Sequence, residues 1–265
     1  MTDEQEPTVE GERTRYLGEH GFANGSLYDE VRPDYPEASI TAIVDRFGLD
    51  GSSRVLDLGA GTGIFSRQLR DRVGQIIAVE PSSSMRETML ATTPGVTVLD
   101  GRDDAIPLED ASVDAVVVAQ AFHWFDAPRA LAEIHRVLVA GGGLALVWNE
   151  RDESIDWMAA LTHAMRWDVH RPYSSNDDVA RVVETGPFEN VERRQFAHRQ
   201  LLTRDQVYRR VLTTSYVSIM DDADQRALLE DVRRVIEPLG EPIDFAYRTD
   251  VYTARATVVG SDPSR

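Results

Sequence analysis

The sequence predicts an α/β protein on a doubly wound, seven-stranded, mostly parallel sheet, and three observations carry that prediction. From Pro36 onward short apolar segments alternate with helix-patterned ones, as in a parallel sheet with helices on both faces. A glycine-rich turn, Gly59–Gly63, falls between the first such strand and the helix that follows it. The second half is less regular and ends on two alternating strands, NVERRQFAHRQLL and IDFAYRTDVYTARAT, with a helical pair between them.

The elements follow in order. IVDRFGLD ends a helix that begins near PEAS, with Gly48 at its C-terminal cap. SRVLDLGAG is a short apolar strand running into glycines. In FSRQLRDRV, Phe65, Leu69 and Val73 recur at helical spacing. QIIAVE is the next buried strand, and PSSSMRETML a helix entered through Pro and Ser. VTVLDG and VDAVVVAQ are two more strands. Asp126 with Pro128 opens the helix PRALAEIHRVL, Gly141–Gly143 close it, and LALVWNE is a fifth strand.

Beyond that point SIDWMAALTHAMRWDV is amphipathic, with Trp157 and Trp167 read as core residues. VERRQFAHRQ alternates charged and apolar residues, as a half-buried strand does. Thr203 with Gln206, and Asp222 with Gln225, are spaced as capping boxes opening two helices. These helices are expected to sit above the sheet as a cap over a site.

Composition excludes several chemistries. There is no cysteine, so no disulfide framework, thiolate zinc site, cysteine nucleophile or cysteine-held iron–sulfur cluster can form. The charge is −17, and because lysine is absent all 28 basic residues are arginine. Without a basic patch, nucleic acid is not the expected partner. No apolar run reaches the ~18 residues of a membrane helix, and the acidic start MTDEQEPTVEGERT is unlike a secretion signal. A cytoplasmic protein without a membrane partner is expected. Residues 1–14 and 260–265 read as disordered tails around one domain at 15–259. Within it, 15–50 form an N-terminal lid and helix, 53–150 a ligand-binding half, and 151–259 a substrate and cap half.

Three motifs bear on chemistry. In VLDLGAGTG, Gly59, Gly61 and Gly63 let backbone approach a ligand at a strand's carboxyl end, and Asp57 can order the loop. A dinucleotide fingerprint needs a third glycine where Ile64 stands, so a nucleoside ligand without pyrophosphate is favoured. Glu80 closes the second strand near the ~20-residue interval of a ribose-binding carboxylate; an N-terminal helix charge is the plainer role. In GRDDAIPL, Asp103 and Asp104 are candidates to face an adenine edge, or form an ordinary acidic turn.

Together VLDLGAGTG, the acidic residue after the second strand, GRDDAIPLEDASVDAVVVAQAFHWF and EIHRVLVAGGGLALVW resemble the class I S-adenosylmethionine-dependent methyltransferases, with a Rossmann-like fold, over about Ser53–Glu150. FANGSLYDEVRPDYP and VWNERD are similar to an aconitate-methyltransferase-like, small-molecule branch (methyltransferase type 11). VLVAGGG lacks the proline usual before the glycine pair. The resemblance implies S-adenosylmethionine as cofactor, no metal, and a small-molecule acceptor.

It places Gly59, Gly61 and Gly63 about the methionine part, Glu80 on the ribose, Met85 against the adenine, Asp103 and Asp104 by its amino group, and Gln120 beside the sulfonium. Phe122, His123, Trp124 and Phe125 then form a floor where cofactor and acceptor meet, with His123 either a general base or a wall residue. Tyr28, Arg32, Asn149 and Arg151 are candidate acceptor contacts, and Tyr35 folds over the cofactor or packs. AQAFHWF lacks the Asn/Asp-Pro-Pro-aromatic pattern of adenine and glutamine N-methyltransferases. That leaves a small acceptor methylated on oxygen, hydroxyl or carboxylate. An NAD-dependent oxidoreductase and a non-catalytic cofactor-binding protein are the alternatives; oligomeric state is not legible.

Overall fold

The computed structural model describes residues 24–166 and 176–258. The expected terminal tails and Trp167 lie outside them. Among the described residues one seven-stranded sheet runs in the order β3-β2-β1-β4-β5-β7-β6. Its strands are β1 Arg54–Leu58, β2 Gln75–Val79, β3 Thr97–Leu99, β4 Val113–Ala119, β5 Leu138–Arg151, β6 Phe188–Leu202 and β7 Ile243–Ala256. The first five pair in parallel, while β7 is antiparallel to both β5 and β6. The chain reverses its direction of winding between β1 and β4, and the crevice beyond their carboxyl ends is where such sheets bind ligands.

Two apolar layers hold the sheet. One includes Ile40, Ile43 and Phe47 of α2 (Glu37–Phe47) with Phe65 and Leu69 of α3 (Ile64–Leu69). The other includes Leu131 and Ile134 of α5 (Ala127–Val137) with Leu56, Val116 and Leu146. Phe65, Leu69 and Val73 are all buried, as their spacing requires. Gly48 caps α2 at φ 66° and Asp126 caps α5. Ser82 caps α4 (Ser83–Thr92) by accepting from the Met85 amide.

Three local expectations are corrected. Gly141–Gly143 do not close α5; the helix stops at Val137 and these glycines lie inside β5. Gly143 pairs with Ala115, and a Cβ there would stand 2.5 Å from the Phe47 ring, so the glycine lets α2 lie on the strand. The second cap helix begins one residue earlier than its motif suggested: Asp221 accepts from the amides of Ala223 and Asp224. Strand β6 is mostly exposed rather than half-buried, because it is the sheet's outer edge; its charged residues suit an edge that must not pair with other chains.

The cap comprises α8 (Arg204–Leu212), α9 (Ser215–Ser218) and α10 (Asp222–Ile236), between β6 and β7. Thr203 and Gln206 form the expected capping box. A third apolar cluster packs Val207, Val211, Leu228 and Val232 of the cap against Phe245, Tyr247 and α6 (Asp156–Ala164). The helix α7 (Asn176–Glu184) was not legible in the sequence pattern. The short helix α1 (Gly25–Val31) joins the cap and α4: Arg209 of α8 pairs with Glu30, and the Gly25 amide donates to Ser84 Oγ at 3.2 Å.

Candidate cofactor and acceptor site

A cleft of about 890 Å³, counted with its open mouth, lies beyond the carboxyl ends of β1, β2 and β4. The structure brings into its lining Tyr28, Gly59, Gly61, Glu80, Met85, Asp103, Gln120 and Trp124 of the predicted site residues, with Tyr35 and Phe125 beside them. Asp57, Gly63, Asp104, Arg32, His123, Asn149 and Arg151 do not line it.

The glycine loop is shaped by backbone geometry. Gly59, Gly61 and Gly63 have φ of 70°, 56° and 82°, the left-handed region where a side chain costs energy. A Cβ on Gly59 would stand 2.6 Å from that of Ala121, so the loop lies directly against the second residue after β4. At Gly61 a Cβ would meet nothing within 4 Å, and the residue lines the cleft.

Glu80 is fixed within this frame. Its Oε2 accepts from the Gly61 amide at 3.0 Å and its Oε1 from the Ser82 amide at 2.8 Å. Each oxygen keeps a further lone pair on a residue only 7% exposed that lines the cleft. Burial raises its pKa, against those amide hydrogen bonds. Asp57 sits behind the loop, 1% exposed. Ser66 Oγ donates to its Oδ2 at 2.6 Å, while Oδ1 has no partner among the described residues. Burial pushes its pKa up to about 6, with the Glu80 charge adding to the rise. Asp57 thus ties β1 to α3 through Ser66; the amides of Gly59 and Ala60 donate to Val79 O and that of Gly61 to Glu80, so the expected ordering of the loop through Asp57 is corrected.

In the turn after β3, Asp103 Oδ2 accepts from the Asp126 amide at 3.2 Å, while Asp104 turns aside to an ion pair with Arg102. Of the two acidic neighbours, Asp103 faces the cleft.

Gln120 has φ 57°, unusual for a residue with a side chain. Its amide donates to Val147 O at 2.8 Å and its Nε2 to Asn149 O at 3.0 Å, so β5 holds it in that conformation. Such strain collects where function requires it.

The 3-10 turn Phe122–Trp124 divides the aromatic run. Trp124 and Phe125 line the cleft, whereas Phe122 is a core residue, edge-on to Phe125. His123 packs on Trp124 with ring centroids 4.5 Å apart, and Trp148 Nε1 donates to its Nδ1 at 3.3 Å. Burial lowers the imidazole pKa to about 3.

Two of the remaining candidates, Asn149 and Arg32, tie the N-terminal segment down. Asn149 Nδ2 donates to Asp34 O at 3.0 Å, and its Oδ1 accepts from Thr249. Arg32 donates to Thr213 through Nε and Nη2, and lies 4.6 Å from the Tyr28 ring centroid. Arg151 Nε donates to Thr162 at 3.0 Å. Gln68 clamps Tyr35 by two hydrogen bonds, which sets that ring in the cleft wall.

Sequence reasoning missed Thr62, Arg102 and Ala121 in the lining. The first two lie inside motifs already singled out. Ala121 lies inside one as well, AQAFHWF, but its place against Gly59 appears only in the structure. Thr62 Oγ1 is buried without a partner among the described residues.

Similarity to known proteins agrees with this geometry. The methyltransferase domain family matches residues 56–146. An uncharacterized methyltransferase of Mycobacterium bovis is 37% identical over 217 residues, which span 82% of this chain and 84% of that protein. An uncharacterized methyltransferase of Schizosaccharomyces pombe is 29% identical over 86% of this chain and 93% of its own. Among solved structures, a putative type II methyltransferase of Anaeromyxobacter dehalogenans has the same fold, with TM-score 0.60 at 23% identity over 85% of this chain and 98% of its own. The chain belongs to the class I S-adenosylmethionine-dependent methyltransferases.

Proposed function

We propose that this methyltransferase acts on a small-molecule acceptor, methylated on oxygen, and that the acceptor meets the cofactor where Gln120, Tyr28, Trp124 and Phe125 converge. The carrying observation is the cleft's mixed lining. The carboxylates of Glu80 and Asp103 share it with the aromatic rings of Tyr28, Trp124 and Phe125 and with the strained Gln120. Among the described residues no helix is long and apolar enough to cross a membrane.

The residues suit the cofactor. Glu80 offers preset acceptor lone pairs for two ribose hydroxyls, Met85 an apolar face for adenine, and Asp103 an acceptor for its amino group. Gly61 leaves open space where any side chain would intrude, and Thr62 Oγ1 is an unused polar atom in the wall. When bound, S-adenosylmethionine supplies an electrophilic methyl group whose transfer leaves the C–S bonding pair on sulfur. The chain's task is then positioning and exclusion of water near an attack distance of ~3–3.5 Å. Trp124, Phe125 and Tyr28 exclude water and offer ring faces to a positive centre. A carboxylate acceptor has no proton to lose; a hydroxyl acceptor must give one up.

His123 fits a positioning role behind Trp124 better than that of a base. With Nδ1 accepting from Trp148, the proton of the neutral ring belongs on Nε2.

The test is transfer from methyl-labelled S-adenosylmethionine into a fractionated cell extract. Label in the low-mass fraction, as base-labile ester or base-stable ether, is expected. Label confined to RNA or protein, or no enzyme-dependent transfer, overturns the reading.

A further inference from the structure

We propose that Arg67 is a positioning residue of the cleft: it ties Thr62 of the glycine loop to Asp29, next to Tyr28, so that binding of the cofactor and seating of the Tyr28 wall are coupled through one guanidinium. This rests on the cofactor occupying the cleft and on Tyr28 standing where cofactor and acceptor meet, as proposed above.

Arg67 stands on α3, whose Phe65, Ser66 and Leu69 are the buried residues. Its Nη1 donates to Thr62 O at 3.0 Å and to Thr92 Oγ1 at 3.0 Å, with Thr93 Oγ1 at 3.3 Å. Its Nη2 donates to Asp29 Oδ1 at 2.7 Å. One flat group thus reaches the glycine loop, the end of α4 and α1. The side chains of Arg67 and Asp29 are 28% and 19% exposed. A short charge-assisted bond so placed is stronger than an ion pair in open solvent. A lysine, with one point charge, does not reproduce this spread of donors.

Both ends of the bridge belong to the cleft. Thr62 lines it and is 1% exposed, and its Oγ1 is buried without a partner among the described residues. The carbonyl of that same residue is what Arg67 holds. Tyr28 lines the cleft too, one residue before Asp29. Successive helix residues point about 100° apart, so a rotation of α1 that brings Asp29 to Arg67 also fixes where Tyr28 points.

The other ties of α1 go elsewhere. At Gly25 a Cβ would stand 2.5 Å from Thr88 Oγ1, and the Gly25 amide donates to Ser84 Oγ, so the helix starts directly on α4. Glu30 pairs with Arg209 of the cap. Asp29 is the residue that connects α1, through Arg67, to the glycine loop. A ligand that packs on Thr62 favours the arrangement in which its carbonyl meets Arg67, and therefore the seated α1. By linkage the seated α1 strengthens the ligand by the same factor.

Amide hydrogen exchange of the full chain, with and without saturating S-adenosylhomocysteine, tests this beside calorimetry. In the wild type the ligand is expected to slow exchange both in Gly59–Gly63 and in Gly25–Val31. Asp29→Ala should keep the first effect, lose the second and weaken the ligand about fivefold or more. Asp29→Asn retains an acceptor and should recover part of both losses. Glu30→Ala frees α1 from the cap instead, and should leave the slowing of α1 and the affinity as in the wild type. Slowing of the loop without α1 in the wild type, an Asp29→Ala that behaves as wild type, or a Glu30→Ala that loses the same coupling would each overturn the proposal. A ligand that binds yet slows neither segment would overturn the placement of the cofactor, and the coupling with it. If Asp29→Ala folds poorly, the wild-type comparison of the two segments and Asp29→Asn still decide the question.

Discussion

The Gly61 amide donates to Glu80 Oε2 across 3.0 Å, which joins the turn after β1 to the end of β2. One carboxylate thus sets the loop and keeps further lone pairs on a residue that lines the cleft. Glu80→Ala should weaken S-adenosylmethionine about tenfold to a hundredfold, since hydrogen bonds to charged groups are worth ~1.5–3 kcal/mol. Because burial raises the Glu80 pKa above the usual 4.5, affinity should fall as pH drops, starting at higher pH than an exposed glutamate would give. Calorimetry across pH checks both. An unchanged dissociation constant in Glu80→Ala would remove Glu80 from the site.

Gly59 and Gly61 share a left-handed backbone but not a neighbourhood. Gly59→Ala drives a methyl to 2.6 Å from Ala121 and should destabilise the fold by more than the ~1–2 kcal/mol of the dihedral alone. Gly61→Ala meets no protein atom and should cost only that dihedral term, yet lose cofactor affinity about tenfold or more by occupying cleft space. Denaturant melts and ligand titration of both variants separate the effects. Equal stability losses with equal affinity losses would contradict the assigned geometry.

Asp57 carries a pH signature. Its pKa moves from 3.8 when unfolded to about 6 when folded, so the native state holds the proton more tightly. The cost of ionising it is absent below the unfolded pKa, grows as pH rises, and is complete above the folded one. Its full size is on the order of 3 kcal/mol. Asp57→Asn does not titrate, so relative to wild type it should gain stability between about pH 4 and pH 6 and then level off. Urea melts at several pH values measure that difference. A difference independent of pH would mean that Asp57 is not buried as described.

The parallel half of the fold was legible because each strand is a short apolar run and each helix carries its own cap or apolar face. The cleft was legible wherever one local stretch supplies the residue: the glycine turn, Glu80 at a strand end, Asp103 in its acidic turn. What stayed hidden depends on distant pairs. Gly143 looked like a helix stop because nothing local announces Phe47 against its backbone. Asp103 and Asp104 could not be told apart until Arg102 claimed one of them. Arg210 reads as an ordinary charge on a polar helix, and only the rings of β7 and the Val31 carbonyl distinguish it. His123 sits inside a legible motif, yet its chemistry is set by Trp148, which is 25 residues away.

That bond decides what His123 does. With Nδ1 engaged and the ring pKa near 3, the imidazole stays neutral near pH 7 and its other nitrogen already holds a proton. His123→Ala should therefore leave turnover within about tenfold of wild type, outside the 10²–10⁴-fold range of general-base catalysis. Stability should drop by about 1–3 kcal/mol, because the Trp148 indole N–H, on a residue 5% exposed, loses its acceptor. The linkage has a definite direction. A histidine whose folded pKa is depressed loses stability as pH falls through the window from 6.5 toward 3. His123→Ala should lose that contribution to acid sensitivity. Steady-state kinetics beside urea melts at neutral and acid pH decide the matter. A loss of turnover beyond a hundredfold, with cofactor affinity intact, would make His123 the base.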